Sequence, residues 1–127
     1  MMTKDELRQI KRGDLVYVDF GDKKEARGSE QHSRRPAIVI QNDKGNFYSP
    51  TTIVVPVTTS KTKRPIPTHV HIEEEYLKKI ENSSDSMALL EQLKVIDKSR
   101  IIYHLETKLS EEKMKEIDKA LSISVGL

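Results

Sequence analysis

Short apolar runs separated by polar turns recur along the chain and predict a mostly antiparallel β-fold. In the predicted strand 37–41 the run 37–40 is continuously apolar, which is typical of a strand buried on both faces. The segment 68–73 alternates instead, so Val70 and Ile72 face a core while His69 and His71 share the opposite face with Glu73. The predicted strands are 15–20, 37–41, 52–57, 68–73, 87–96 and 101–105.

Both ends of the chain carry helix signals. Thr3 and Glu6 stand at capping-box spacing, which predicts a short helix over 3–9. Ser110 is the predicted N-cap of a terminal helix, with acidic residues in the first turn where the helix dipole favours anions. Its buried stripe is predicted to hold Met114, Ile117, Ala120 and Leu121.

The segments between the predicted strands carry signals for turns, short helices and loops. A plain turn is expected at 42–49, around Gly45, and one or two helical turns within 74–81. The polar loop at 21–35 is long for a compact domain, and such loops are usually functional or mobile. Pro56 cannot donate to a ladder, so we expect an edge or a bulge where it stands. Together the pattern predicts a mainly β (α+β) protein, a small antiparallel barrel or half-barrel with a C-terminal helix.

Length and composition limit the number of domains, the size of the core and the kinds of site that the chain can form. A chain of 127 residues suits one domain, 1–127. Hydrophobic residues make up 35% and charged residues 33%, so the core is modest and an oligomer interface is expected to cover part of the apolar surface. The absence of cysteine excludes disulfides and thiolate metal sites. No apolar run approaches ~18 residues and the first residues are charged, which predicts a cytoplasmic protein.

The charge is nearly balanced, with 22 Lys and Arg against 20 Asp and Glu, which argues against a whole-protein polycation. Basic residues are nevertheless concentrated in two loops that flank one predicted sheet. Such a distribution favours a local phosphate-binding patch. The two groups are Lys23, Lys24, Arg27, Arg34 and Arg35, and Lys61, Lys63 and Arg64.

Several motifs occur together in one order: KRGDLVYVDF, GSEQHSRRPAIVIQND, SPTTIVVPVTT, PTHVHI, LLEQLKVIDKSRI and ALSISVGL. In this combination the chain resembles the MazF/PemK family of toxin endoribonucleases, from Lys11 onward, with 1–10 as an N-terminal extension. The resemblance implies an SH3-like barrel of the CcdB/PemK type that forms a homodimer. It also implies cleavage of single-stranded RNA at short sequences without a metal or cofactor, and inhibition by a cognate MazE-like antitoxin.

The same resemblance implies the catalytic residues. Arg35 matches the family's arginine before proline, and Thr58 its threonine at a strand end. RNA cleavage without a metal uses the 2′-OH of the substrate as nucleophile, so the enzyme must stabilise a phosphorane and move two protons. A guanidinium fork matches two phosphate oxygens, and a hydroxyl adds another donor. Glu30 is the candidate base, although it equally suits a loop carboxylate that neutralises Arg34 or Arg35.

The remaining candidate residues belong to RNA binding. His32 and Arg34 depart from the smaller residues common in the family, and because such loops contact bases they bear on the cleavage sequence. The predicted RNA-binding residues are Ser29, Gln31, His32, Arg34, Thr59, Ser60, Lys61, Lys63 and Arg64.

Other polar and aromatic residues have simpler interpretations. A solvated strand face explains His69 and His71 better than a metal site does, since no third histidine or cysteine is fixed nearby. Gln92 is expected on a partly buried strand as a hydrogen-bonding residue. Phe47 and Tyr48, beside a turn, are candidates for base stacking or dimer contacts.

Two other functions remain open at this level. A protein-binding poison on the same barrel, like the CcdB toxins that trap DNA gyrase, needs no arginine–threonine phosphate site. An inert relative would only bind RNA or an antitoxin. The presence of both Arg35 and Thr58 favours the nuclease.

Overall fold

The computed structural model describes residues 1–59 and 66–127. In these ranges the strands are β1 (Asp14–Asp19), β2 (Arg34–Val39), β3 (Thr51–Thr58), β4 (His69–Ile72), β5 (Ser86–Leu89), β6 (Lys94–Asp97) and β7 (Ile101–Lys108). The helices are α1 (Lys4–Arg8), α2 (Asp43–Tyr48) and α3 (Glu111–Val125). Short 3₁₀ turns occupy Glu74–Leu77, Leu90–Gln92 and Lys98–Arg100.

The strands form one antiparallel sheet in the order β4-β5-β3-β2-β1-β7, and β6 pairs with β3 off this path. With α3 following the last strand, this architecture confirms the predicted mainly β fold with a C-terminal helix. No helix in the described ranges is long and apolar enough to cross a membrane.

The central strands are apolar on both faces because each face covers a separate core. One core lies between the sheet and α3, and it includes Ile38, Val55 and Ile117. The other lies on the opposite face and includes Ala37 and Val54. Residues 37–40 are all buried, so the prediction that this apolar run is buried on both faces is confirmed.

The first ten residues complete the second core. The predicted capping box is present, since Thr3 Oγ1 accepts from the Glu6 N–H at 3.1 Å and Glu6 Oε1 accepts from the Thr3 N–H at 2.9 Å. Ile10 is 1% exposed in this core, and Met2 and Leu7 pack against it. The segment predicted as an extension is thus a packed part of the fold.

The expectation of a plain turn at 42–49 is wrong, because these residues form α2. Asn42 is its N-cap and accepts from the Gly45 N–H at 2.8 Å. Asn46 is fully buried: its amide donates to the Gln41 carbonyl at 2.9 Å and its oxygen accepts from the Thr52 hydroxyl at 2.7 Å. Gly and Asn favour turns locally, but the burial of Asn46 with its side-chain hydrogen bonds satisfied overrides that preference.

The expectation of one strand over 87–96 is also wrong. The 3₁₀ turn Leu90–Gln92 divides it into β5, which pairs with β3 at its end, and β6, which pairs with β3 at its beginning. Pro56 lies where the partner of β3 changes, in an interior strand and not at an edge. Because the partner of β3 changes from β6 to β5 at this point, Pro56 has no ladder partner on this side of the strand. A residue without an N–H donor is therefore tolerated there.

Helix α3 matches its predicted pattern. Ser110 Oγ accepts from the Lys113 N–H at 3.1 Å, and Ile117 and Ala120 are buried with Met114 and Leu121 partly buried beside them. Lys113 is buried too, which the stripe did not predict. Its ammonium donates to the His71 carbonyl at 2.9 Å and to Glu73 at 2.7 Å, so α3 is tied to the end of β4.

We expect the buried carboxylate of Asp14 to make stability depend on acid pH. Burial raises the pKa of Asp14, but hydrogen bonds from His104 at 3.0 Å and the Lys11 N–H at 2.8 Å outweigh it and leave the pKa below its ordinary value. Stability from a lowered carboxyl pKa is present above the ordinary value and is lost as the pH falls through the folded value. Urea unfolding should show Asp14→Asn to cost about 1–3 kcal/mol at neutral pH and less near pH ~3. A cost that does not change with pH would contradict this role.

Candidate active site at the ends of strands β2 and β3

The structure brings Arg35 and Thr58 together. In the ladder between β2 and β3, Ala37 lies opposite Pro56. Arg35 stands two residues before Ala37 on β2, and Thr58 two residues after Pro56 on β3. The same register therefore places Arg35 opposite Thr58, with both side chains on one face of the sheet. The Arg35 Nη1 group donates to Thr58 Oγ1 at 3.3 Å. An antiparallel pairing therefore unites two side chains that are 23 positions apart in the sequence.

Arg35, in β2, is held in place by the loop that precedes this strand. Its Nε group donates to the His32 carbonyl at 2.8 Å, and the residue is partly buried. Burial lowers the pKa of Arg35, while the nearby Tyr17 raises it. An arginine remains cationic at neutral pH even so. The guanidinium is thus positioned by one bond through Nε, and its terminal nitrogens lie at the threonine hydroxyl.

The loop before β2 is closed at its base by two backbone hydrogen bonds. The Phe20 N–H donates to the Ser33 carbonyl at 2.9 Å, and the Ser33 N–H donates to the Gly21 carbonyl at 2.7 Å. Ser33 has φ +67° and Gly21 φ +95°, so the chain reverses through left-handed backbone at both positions. This closure sets the carbonyl of His32 where Arg35 uses it. The His32 ring itself lies 2.8 Å from the Ser33 hydroxyl through Nδ1.

Gln92 fixes the other half of the loop. Its Oε1 accepts from the Gln31 N–H at 2.9 Å and its Nε2 donates to the Ser29 carbonyl at 3.0 Å. One carboxamide thereby satisfies the backbone on both sides of Glu30. Sequence reasoning identified Gln92 as a hydrogen-bonding residue but placed it on a strand, whereas it lies in the 3₁₀ turn between β5 and β6. Its contact with the loop became visible only in the tertiary structure.

A groove of about 520 Å³ runs beside this loop, and we name it the loop groove. Pro56 lines it and lies on the same strand face as Thr58, two residues before it, so the groove adjoins the arginine–threonine pair. The lining residues are Phe20, Arg27, Ser29, Glu30, Gln31, Pro56, Glu91, Gln92, Leu93 and Lys94.

Glu30 lies on the wall of the loop groove and is exposed. Its Oε1 accepts from the Arg27 N–H at 2.5 Å, which closes the turn from Arg27 to Glu30. Among the described residues it forms no ion pair with Arg34 or Arg35. The carboxylate therefore supports its own loop and also faces the space that a substrate would fill.

Of the remaining predicted RNA-binding residues, some lie within the described ranges and others lie outside them. Arg34 is exposed, and its carbonyl accepts from the Tyr17 hydroxyl at 3.4 Å. Thr59 is exposed directly after β3. The predicted residues Ser60, Lys61, Lys63 and Arg64 lie outside the described residues.

The two histidines of β4 differ in their surroundings. His71 is 54% exposed and lies near Glu73 and Asp85, as a solvated face predicts. The side chain of His69 is only 7% exposed, which corrects that expectation, and its Nε2 lies 2.7 Å from Glu91 of the loop groove. No group of three potential metal ligands occurs within 1–59 and 66–127.

The arrangement suits recognition of a phosphodiester. A guanidinium with two terminal nitrogens, and a hydroxyl 3.3 Å from one of them, offer several donors to one tetrahedral anion. Both groups lie at strand ends on a rigid ladder, so their separation is set by the sheet. The adjoining groove of about 520 Å³ would provide room for groups that flank such an anion.

Comparison with known proteins shows the family to which the chain belongs. Residues 11–125 match the family model described as "PemK-like, MazF-like toxin of type II toxin-antitoxin system". A curated relative from Staphylococcus epidermidis, named "Endoribonuclease MazF", is 49% identical over 118 residues, which cover 93% of this chain and 92% of that protein.

Solved structures show the same fold. MazF from Deinococcus radiodurans superposes with a TM-score of 0.71 at 24% identity, covering 93% of this chain and 97% of that one. An endoribonuclease from Mycobacterial species, solved in complex with its cognate antitoxin, also has a TM-score of 0.71, at 19% identity and with 93% and 96% covered. The expected CcdB/PemK-type fold, and the resemblance stated from the motifs, are confirmed. The chain belongs to the family of PemK-like, MazF-like endoribonuclease toxins of type II toxin–antitoxin systems.

Proposed function

We propose that this protein is a sequence-specific endoribonuclease that cleaves single-stranded RNA, including mRNA, without a metal ion. The observation that supports it best is the contact between Arg35 and Thr58, a cation and a hydroxyl at 3.3 Å beside an open groove. The 49% identical endoribonuclease supports the reaction class. The products are a 2′,3′-cyclic phosphate and a 5′-OH.

The chemistry follows from the groups present. The substrate's 2′-oxygen attacks the adjacent phosphorus, so a phosphorane with extra negative charge forms and the bond to the 5′-oxygen breaks. Arg35 stabilises the equatorial oxygens through its terminal nitrogens, and Thr58 donates its hydroxyl to the same phosphate. Because the nucleophile belongs to the substrate, no metal-bound hydroxide is needed for attack.

Two protons must move during this step. We assign removal of the 2′-OH proton to Glu30, because it is the carboxylate in the wall of the loop groove that belongs to the loop leading into β2 and Arg35. The departing 5′-oxygen must gain a proton, and donation by Arg35 is the harder of its two roles because a guanidinium holds its proton tightly. Stabilisation of the developing negative charge is the main role of Arg35.

The flanking nucleotides bind beside this pair. Ser29 and Gln31 line the loop groove, while His32, Arg34 and Thr59 lie next to the catalytic residues in the sequence. Direct contacts from the loop groove to base edges select the cleavage sequence. The basic residues Lys61, Lys63 and Arg64, with Ser60, are proposed to hold the backbone and to add salt-dependent affinity.

The protein is proposed to act as a homodimer in the cytoplasm and to be inhibited by a MazE-like antitoxin. The family assignment supports an antitoxin partner, and the related Mycobacterial endoribonuclease has been solved with its own antitoxin. An acidic antitoxin segment that covers Arg35 and the loop groove would exclude RNA by occupying the same donors.

Incubation of the purified protein with a long mixed-sequence RNA in EDTA is expected to give discrete cuts at a common short sequence. Mapping both ends tests the chemistry, because 2′-OH attack leaves a cyclic phosphate and a 5′-OH. Cleavage that EDTA abolishes would contradict the metal-free reaction. Intact RNA together with stalled DNA gyrase would replace the nuclease with a gyrase poison, and intact RNA that stays bound would leave an inert relative.

A further inference from the structure

A second groove, of about 400 Å³, lies between α1, α2 and the turn after β6. We name it the helix groove. Its lining includes Leu7, Arg8, Phe47, Tyr48, Pro50 and Lys98. Helix α1 lies outside the segment 11–125 that matches the family, so this groove is partly built by residues that the family model does not cover.

The helix groove carries positive charge that the described residues do not neutralise. Lys98 is 6% exposed, and its ammonium donates to the Asn46 carbonyl. Within 1–59 and 66–127 no carboxylate pairs with Lys4, Arg8 or Lys98. The carboxylate of Asp97 also lines the groove, but it accepts from the Ser99 N–H at 2.9 Å. The balance favours an anionic group in this groove.

Burial of an unpaired cation has an energetic consequence. Burial lowers the pKa of Lys98, and the positive charge of Arg8 lowers it further. An anion bound between the two side chains would offset both effects, because it replaces lost hydration and separates like charges.

Two aromatic side chains also line the helix groove. Phe47 is 41% exposed and Tyr48 75% exposed, with ring centroids 4.9 Å apart at 77°. The Arg8 guanidinium lies 6.0 Å from the centre of the Phe47 ring. Open aromatic faces beside unpaired cations are the usual elements of single-stranded nucleic acid sites, in which bases stack and phosphates contact Lys or Arg.

The helix groove is connected to the loop groove by β6. Lys94 at the start of this strand lines the loop groove, and Asp97 at its end lines the helix groove. Lys94, Val95 and Asp97 are exposed, and Ile96 between them is buried in the core. Three residue steps along a strand span about 10 Å, a distance that a short stretch of single-stranded RNA covers.

We propose that the helix groove is a second RNA subsite, which binds a nucleotide of the substrate strand at a distance from the cut. A base stacks on Tyr48, and its phosphate contacts Arg8 and Lys98. The inference rests on the proposed nuclease function and extends it, since a substrate long enough to reach both grooves binds more tightly than one that fills the loop groove alone.

Fluorescence anisotropy with 2′-O-methyl RNA, which cannot attack its own phosphates, tests the subsite. Wild type, Tyr48→Ser and Arg8→Gln would be titrated with oligonucleotides of about five and about fifteen nucleotides that share the cleavage sequence. Tyr48→Ser is expected to weaken binding of the long oligonucleotide about tenfold and to leave the short one unchanged. Arg8→Gln is expected to reduce the salt slope for the long oligonucleotide by about one.

Lys115→Gln is the matched control, because it removes one exposed positive charge on α3 away from both grooves. It should change neither affinity nor slope by as much as Arg8→Gln. If wild type binds both lengths and neither groove variant affects the long one, the helix groove is not an RNA subsite and the nuclease proposal stands. If wild type binds the long oligonucleotide no more tightly than the short one, the subsite is overturned as well, and the nuclease proposal still stands on the cleavage assay.

Discussion

Replacement of Arg35 by alanine is expected to lower the rate of RNA cleavage by about a hundred- to a thousandfold without unfolding the protein. In the proposed mechanism this side chain contributes the guanidinium donors to the phosphate, and its loss leaves the Thr58 hydroxyl as the remaining donor of the pair. Arg35→Lys should recover little, because an ammonium keeps the charge but lacks the planar fork. Single-turnover cleavage with saturating protein measures the chemical step directly.

Arg34→Ala is the matched control for this experiment, since Arg34 is the exposed neighbour in the sequence and contacts the rest of the fold through its backbone carbonyl. It should affect binding of RNA more than the rate of the bound complex. Equal losses in the chemical step for the two variants would show that Arg35 contributes only general positive charge. Circular dichroism of each variant would verify that the sheet is retained.

Ile117→Ala is expected to lower the free energy of unfolding by about 2–5 kcal/mol. Ile117 is fully buried on α3 within the core between this helix and the sheet. Removal of its branched end loses apolar burial and leaves a cavity that helix and sheet cannot close. Urea denaturation at fixed protein concentration measures the change, and the concentration must be held constant because a dimer gains stability by mass action.

Ile123→Ala on the same helix is the comparison, since Ile123 is 48% exposed. The two substitutions have the same effect on helix propensity, so a difference between them reports burial. A loss below about 1 kcal/mol for Ile117→Ala would mean that α3 is not packed on the sheet as described.

Some features of the fold could be predicted because they depend on neighbours in the sequence. The capping box of Thr3 and Glu6 and the Ser110 cap each join residues three positions apart, and they formed as predicted. Periodicity likewise located the buried stripe of α3. The errors arose where contacts from outside the segment decided the outcome: Lys98 donates to the Asn46 carbonyl of α2 from 52 positions away, and the division of 87–96 depends on two separate pairings with β3.

The candidate site likewise combines features that the sequence predicted with features that only the tertiary structure revealed. The motifs were sufficient to select Arg35 and Thr58, since their residue types and order identify the family. They did not show that Gln92 binds the backbone on both sides of Glu30, because that contact spans 61 and 63 positions. Nor did they show that Glu30 closes its own turn or that His69 is shielded beside Glu91.

By itself, the sequence determined the family, the choice of Arg35 and Thr58 as candidate residues and the local helix signals, because each of these depends on residue identity and short spacing. The tertiary structure alone decided that Arg35 lies 3.3 Å from Thr58, that one glutamine holds the loop beside them, and that α1 and α2 form a second groove around Lys98. These contacts depend on strand register and on the burial of polar groups, which are properties of the whole packed chain and not of any segment within it.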